Sequence, residues 1–149
     1  MSSIETATVS SEIKAFHYSQ DRQIAAPIDV VFETVLESVG PLKEMKLKIE
    51  AWPGGRWFRD LGDNTGHLWG HVQVIKPPKL LELCGPMMMS YPATSFVQYR
   101  LTEENGGTRL MLTHQAMGLI KPEHLDGFPR GWTAVLDDAK ARAEAAAKR

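Results

Sequence analysis

His67 and His71 stand four residues apart in the run GHLWGHVQVIKPPKLLEL. On a helix this spacing would stack both imidazoles on one face, where they could share a metal ion. On a strand the same spacing separates them by about 13 Å at ~3.3 Å per residue. A bulge at Gly70 would turn them to opposite faces instead. A second pair with chemical potential is Cys84, a nucleophile in principle, with His114 as its base. No orienting acid or oxyanion donor accompanies that pair in the sequence, so no catalytic residue is assigned. His17 and His124 lie in polar contexts and read as solvated side chains.

The elements that must carry these groups are legible from periodicity. From Pro27 to about Val39, Ile28, Val31, Phe32, Val35, Leu36 and Val39 recur at three and four residues, which predicts an amphipathic helix. Pro27 falls in its first turn, Asp29 favours its positive end, and Gly40 and Pro41 close it. The period then changes to two: Leu47, Ile49 and Ala51 alternate with charged residues, and Pro53-Gly54-Gly55 leads into RWFRDL. A turn at Gly62-Asp63-Asn64 opens a third strand near Gly66, which Lys76-Pro77-Pro78-Lys79 ends before LLELC. TSFVQYRLT and TRLMLTHQA flank Glu103-Glu104-Asn105-Gly106-Gly107, a hairpin signal. The histidine pair therefore belongs to a strand, and no metal is expected.

The chain ends in a second helical pattern, with Trp132, Val135, Leu136, Ala139, Ala143 and Ala146 as its apolar stripe. About 18 residues of helix would span roughly 27 Å, enough to lie across a sheet. The polar leader MSSIETATVSSE, residues 1–12, reads as a loose tail, and residues 13–149 as one domain. With 149 residues, 43% of them hydrophobic, the chain can bury a sizeable core. No apolar run approaches the ~18 residues that span a bilayer. Seventeen basic against eighteen acidic residues, without a basic stripe, argue against nucleic acid as a partner. The single cysteine excludes an internal disulfide and fits a reducing cytoplasm.

The order of these pieces resembles a known superfamily. A strand, the stretch IAAPIDVVFETVL, a meander carrying PGGRW, then GHLWGHVQVIKPPKLLEL, GGTRLMLTHQAMG and a final GW-initiated helix are similar to SRPBCC, or START-like, helix-grip proteins. Within them the resemblance is to the branch named for the activator of the ninety-kilodalton heat-shock protein ATPase, over about residues 20 to 145. It implies an α+β fold in which a curved antiparallel sheet grips a long C-terminal helix, with a cavity between them that often takes an apolar small molecule. No cofactor is implied. Such folds serve lipid carriers, cyclases and aromatases, hormone receptors and co-chaperone domains, so the fold alone selects no activity.

Strand alternation assigns faces. Leu110, Leu112, His114 and Ala116 should face the helix, as should Ser95, Val97, Tyr99 and Leu101, Leu81 with Leu83, and Val72 with Val74. The resemblance places Trp57 inward, which carries Arg59 and Leu61 to the same side. The face that the strand at 66–75 turns to the cavity stays open. Candidate ligand-binding residues are Trp57, Arg59, Trp69, Met87, Tyr99, His114 and Trp132. Met87-Met88-Met89 reads either as a pliable ligand-contacting wall or as flexible core filling. Arg59 reads either as an anchor for a ligand carboxylate or as a partner of Glu50 or Asp60, or as a group reaching solvent.

Three functions follow: a binding module for a hydrophobic or amphipathic small molecule, a cavity enzyme of cyclase, aromatase or hydrolase type using Arg59, Tyr99 or His114, and a co-chaperone-like regulator of an ATPase. One domain's length of chain weakens the third, so a chaperone partner is not expected, while a homodimer stays open. The lack of a carboxylate base among the inward residues favours binding over catalysis. Because strand geometry separates His67 from His71, elemental analysis of EDTA-washed protein should find no stoichiometric zinc or other transition metal.

Overall fold

The computed structural model describes residues 5–9, 12–37 and 41–148. In chain order the elements are β1 (Lys14–Ile24), α1 (Ile28–Leu36), α2 (Pro41–Glu44), β2 (Leu47–Ile49), β3 (Arg56–Gly62), β4 (Thr65–Lys76), β5 (Leu80–Gly85), β6 (Ala93–Glu104), β7 (Gly107–Gly118) and α3 (Pro122–Ala147). The strands form one antiparallel sheet in the order β1-β7-β6-β5-β4-β3-β2. Strands β2 to β7 are thus a meander, and β1 returns to pair with the last of them. Residues 5–9 and Glu12 are exposed and carry no helix or strand, and the rest of the expected tail lies outside the described residues.

Turn chemistry sets the registers. Asn105 and Gly106 both have positive φ between Glu104 and Gly107, the two-residue turn whose twist suits a hairpin. Asp63 and Asn64 do the same between β3 and β4. The alternation expected for β5, β6 and β7 holds: Leu81, Leu83, Val97, Leu101, Leu110, Leu112 and His114 are all at most 1% exposed. Two expectations fail at bulges. Between Val72 and Val74 the β4–β5 register shifts, so Val74 pairs with Glu82 and Ile75 takes the inward place opposite Leu81. A second shift, between Asp60 and Gly62, leaves Leu61 exposed at the end of its hairpin.

Helix α1 buries Val31, Phe32 and Val35 as its pattern requires, with Pro27 at its N-cap and Asp29 in its first turn. It ends at Leu36, three residues before the expected end; Val39 and Gly40 lie outside the described residues. The connection that follows contains the short α2, which periodicity does not signal.

The largest difference is α3, which has 26 residues rather than about 18, or about 39 Å. Gly127, Pro129 and Gly131 read locally as breakers, yet the helix runs through all three from Pro122, a residue suited to a first turn. Packing overrides propensity there. Phe128 is 5% exposed and lies against Phe16 and His114, at ring separations of 5.3 and 4.7 Å.

A polar flank of the same helix secures the edge strand β1. Gln20 donates to Thr133 Oγ1 (3.1 Å), Arg22 pairs with Asp137 (2.9 Å), Lys140 donates to the Gln23 carbonyl (2.6 Å), and the Ala25 amide donates to Glu144 (2.8 Å). These helix positions recur at three and four residues, so one face of α3 covers the edge that would otherwise invite strand pairing. Leu136, fully buried beneath α3, should cost about 2–5 kcal/mol when replaced by alanine. Chemical denaturation should register that loss, whereas the exposed Arg130→Ala should change stability by no more than about 0.5 kcal/mol.

Candidate functional site

Between the first half of α3 and the sheet lies a cavity of about 210 Å³. From α3 it is lined by Gly127, Phe128, Gly131, Trp132 and Val135, positions that share a face because they lie three, four or multiples of about four residues apart. Trp69 from β4, Met87 and Met88 from the β5–β6 connection, and Leu42 from α2 complete the wall. The two residues able to ionise, Glu123 and His124, stand on its solvent side, Glu123 exposed and His124 half-buried. A Cβ at Gly127 or Gly131 would meet nothing within 4 Å. Glycine inside a helix costs roughly 0.5–1 kcal/mol relative to alanine, and these two leave the helix side of the cavity open.

Trp69 reaches this place through a bulge. Trp57 pairs with Gly70 but Phe58 pairs with Leu68, so Trp69 is the extra residue of β4 and turns inward. Its ring meets the edge of Trp57 at 5.3 Å, and its carbonyl accepts the Met87 amide at 2.9 Å. Gly70 allows the close strand approach: a Cβ there would lie 2.3 Å from the Cys84 carbonyl oxygen. Met87 follows with φ of 55°, a left-handed conformation uncommon for its residue type. Trp69 is 1% exposed, and its Nε1 is the buried side-chain polar atom that finds no hydrogen-bond partner among the described residues. An unsatisfied buried donor costs about 1–3 kcal/mol.

The same bulge answers the question of the histidine pair. His71 pairs with Arg56 and His67 with Arg59, three residues along β3, so the two imidazoles project from opposite faces of the sheet. They cannot close on one ion.

Behind Trp132 lies a buried polar chain. The Trp132 indole donates to His114 Nδ1 at 2.9 Å, and His114 Nε2 is 2.9 Å from Ser95 Oγ. An indole nitrogen only donates, so Nδ1 accepts and the imidazole proton sits on Nε2, donating to the serine. His114 is fully buried, and burial lowers its pKa to about 4, which keeps it neutral. Both ring nitrogens are thus engaged, and the serine receives a proton instead of giving one up. This is no activated serine–histidine dyad. Cys84 stands opposite Phe96 and His114 opposite Val97, adjacent positions of β6 and therefore opposite faces of the sheet. Burial also pushes the Cys84 thiol up, away from thiolate character.

Of the seven candidates named from sequence, the cavity wall brings together Trp69, Met87 and Trp132. Trp57 supports Trp69 from behind, His114 holds Trp132, and Tyr99 meets the Trp132 ring edge-on at 6.2 Å. Burial pushes the Tyr99 phenol up, so it stays protonated. Arg59 lies apart: it is half-buried, its Nε donates to the Met45 carbonyl at 2.8 Å, and it borders an open groove with Asp60, Asn64 and His67. Neither acid considered as its partner is free for it. Glu50 is held by Arg56, which lowers its pKa to about 2, and Asp60 by Lys48. His124 is not simply solvated, since the Tyr91 hydroxyl lies 2.7 Å from its Nδ1 and the rings stack. Sequence reading offered Met88 within the Met87-Met88-Met89 wall and missed Leu42, Gly127, Phe128, Gly131 and Val135 as lining. The i, i+4 series 123, 127, 131, 135 and its neighbour 124, 128, 132 would have revealed the helical ones had the helix been extended back to Pro122.

An antiparallel sheet curved around a long C-terminal helix defines the helix-grip class. The model of the family described as activator of Hsp90 ATPase homolog 1-like protein matches residues 25–144, and the chain belongs to that family. No curated protein matches it significantly. Among solved structures, an uncharacterized protein from Rhizobium leguminosarum superposes with a TM-score of 0.67 at 18% identity, over 89% of this chain and 97% of that one. CalU16 from Micromonospora echinospora gives 0.61 at 23%, over 85% and 73%. DynU16, a protein of the dynemicin biosynthetic locus, gives 0.65 at 18%, over 86% and 47%. At these identities the likeness is one of fold. No helix among the described residues is long and apolar enough to cross a membrane.

The His114 environment makes stability depend on pH. Unfolded, the imidazole takes up its proton near 6.5; folded, only near 4. Between those values the unfolded state binds more protons, so stability falls as pH is lowered from about 6.5 and the effect levels off below about 4. The full loss is about 3 kcal/mol at 1.36 kcal/mol per unit. Denaturant melts from pH 7 to 4.5 should show this slope in wild type. His114→Asn, whose amide cannot titrate, should be less stable at pH 7 and lack that component.

Proposed function

We propose that this chain is a small-molecule binding module that takes an apolar, compact and at least partly aromatic ligand into the cavity between α3 and the sheet. The observation that carries this reading is the wall itself, built from Trp69, Met87, Met88, Phe128, Trp132 and Val135, with its ionisable residues confined to the solvent side. A volume of about 210 Å³ exceeds the ~150 Å³ known to enclose a benzene ring. It lies below the ~300 Å³ at which pockets for drug-sized molecules begin. A ligand of one ring or two fused rings suits it, and the unbranched methionines can yield to somewhat larger shapes. Catalysis is disfavoured because His114 is neutral with both nitrogens engaged, and because Cys84 stands on the other face of the sheet. A lone thiol held as a thiol agrees with a reducing, cytoplasmic setting.

Titration with mono- and bicyclic aromatics such as indane, 1-indanone and 2-naphthol, followed by tryptophan fluorescence and melting temperature, tests the proposal. At tenfold excess over Kd a ligand adds about 1.4 kcal/mol, a rise of roughly 3–6 °C at this chain length. Gly127→Leu places a side chain where the structure has room, so it should keep the fold and abolish the rise. If no compound shifts either reading up to its solubility, or if Gly127→Leu binds like wild type, the cavity is not a binding site.

A further inference from the structure

We infer that the ligand of this cavity is an amine, with a compact apolar body held between α3 and the sheet and a protonated nitrogen left at the solvent side, where it meets the carboxylate of Glu123. The inference rests on the binding reading above and adds the charge by which the ligand is selected. Glu123, Gly127, Gly131 and Val135 all line the cavity, and they follow one another at intervals of four residues. They therefore occupy one face of α3, and that face is turned to the cavity. Glu123 stands at the outer end of the row, exposed, in the first turn of the helix. The next position is Gly127, so the row places no side chain between the carboxylate and the apolar space.

This carboxylate has no counter-ion of its own. Glu123 takes part in no hydrogen bond or ion pair among the described residues. The helix positions three and four residues on, where a cation could pair with it, are Asp126 and Gly127. Lys121, two residues before it, has its Nζ over the ring of Tyr91 at 5.1 Å and does not line the cavity, and neither does Lys43 of α2. The positive end of the α3 dipole amounts to about half a charge, less than one carboxylate. No lysine or arginine lines the cavity, so a ligand carboxylate would find Glu123 as the charge nearest to it and no cation in the wall. An ammonium placed among Trp69, Phe128 and the methionines would lose its hydration without gaining a partner. The apolar end therefore goes in, and the charged end stays at Glu123.

The test uses three compounds of one shape on the full chain: 2-aminoindane, 2-indanol and indane-2-carboxylate, which carry a cation, a neutral hydroxyl or an anion at the same carbon. By calorimetric titration at pH 7, wild type should bind 2-aminoindane about three- to fivefold more tightly than 2-indanol, the range of a solvent-exposed ion pair. Indane-2-carboxylate should bind most weakly. In Glu123→Gln the preference for the amine over the alcohol should disappear, and Glu123→Lys should put the carboxylate first. Raising the ionic strength from about 0.05 to about 0.5 M should shrink the wild-type preference, because the charges involved are exposed. Gly127→Leu, which fills the cavity, should lose the amine as well as the alcohol. If Gly127→Leu binds 2-aminoindane as wild type does while losing 2-indanol, the amine sits elsewhere on the surface and the assignment is overturned. If wild type binds amine and alcohol alike, or Glu123→Gln keeps the amine's advantage, Glu123 does not select the ligand; the charge assignment is overturned while the binding site stands. If none of the three compounds binds wild type, the binding reading falls and this inference with it.

Discussion

The rotation of α3 about its own axis decides what the cavity is made of, and the bond from Trp132 Nε1 to His114 Nδ1 fixes that rotation. A stripe of apolar residues alone would let a helix roll on a sheet, because hydrophobic burial has no direction. A buried indole N–H with one acceptor in reach has a direction, and misplacing it would strand two polar groups in the core. With Trp132 held, Phe128 and Leu136 lie against the sheet, and Gly127 and Gly131 face the open space. The polar flank from Thr133 to Glu144 then meets β1 in register. Ser95 completes the chain by accepting from His114, so the pair that could suggest catalysis is better understood as the pin that orients the helix.

The sheet answers this fixed helix by re-aiming one strand. Strict alternation would send Trp69 to the outer face beside Phe58. The bulge at Trp69 brings it inside against Trp57, and the second bulge, at Gln73, exchanges Val74 for Ile75 on the inner face. Two irregularities on β4 thus build the wall opposite α3, at the part of the sheet where curvature has to be produced. The glycines at 70 and 85 allow the backbones to come close enough for this.

Membership of the family sets the frame without choosing the activity, since the same grip of sheet on helix hosts many chemistries. What distinguishes this chain is chemical. Trp132, His114 and Ser95 satisfy one another, Arg59 is engaged by the Met45 carbonyl, and among the described residues the buried Trp69 Nε1 finds no partner.

Periodicity in the sequence by itself determined the order of α1, the strands β2 to β7 and α3, the hairpin at Asn105-Gly106, the inward faces of β5, β6 and β7, and the strand that separates His67 from His71, while β1 came from the family resemblance and α2 from neither. These are local properties: a period of two, a turn needing positive φ, and an apolar stripe are each encoded within a dozen residues. Tertiary structure decided the rest. The extension of α3 back to Pro122 depends on Phe128 finding Phe16 and His114, a gain that outweighs the poor helix propensity of Gly127, Pro129 and Gly131. The inward turn of Trp69 and the outward turn of Val74 depend on registers set between neighbouring strands, and a single bulge reverses every assignment beyond it. Whether a buried donor has a partner depends on residues distant in the chain. His114 lies 18 residues from Trp132, while for Trp69 no acceptor arrives among the described residues, and no sequence window distinguishes those two indoles.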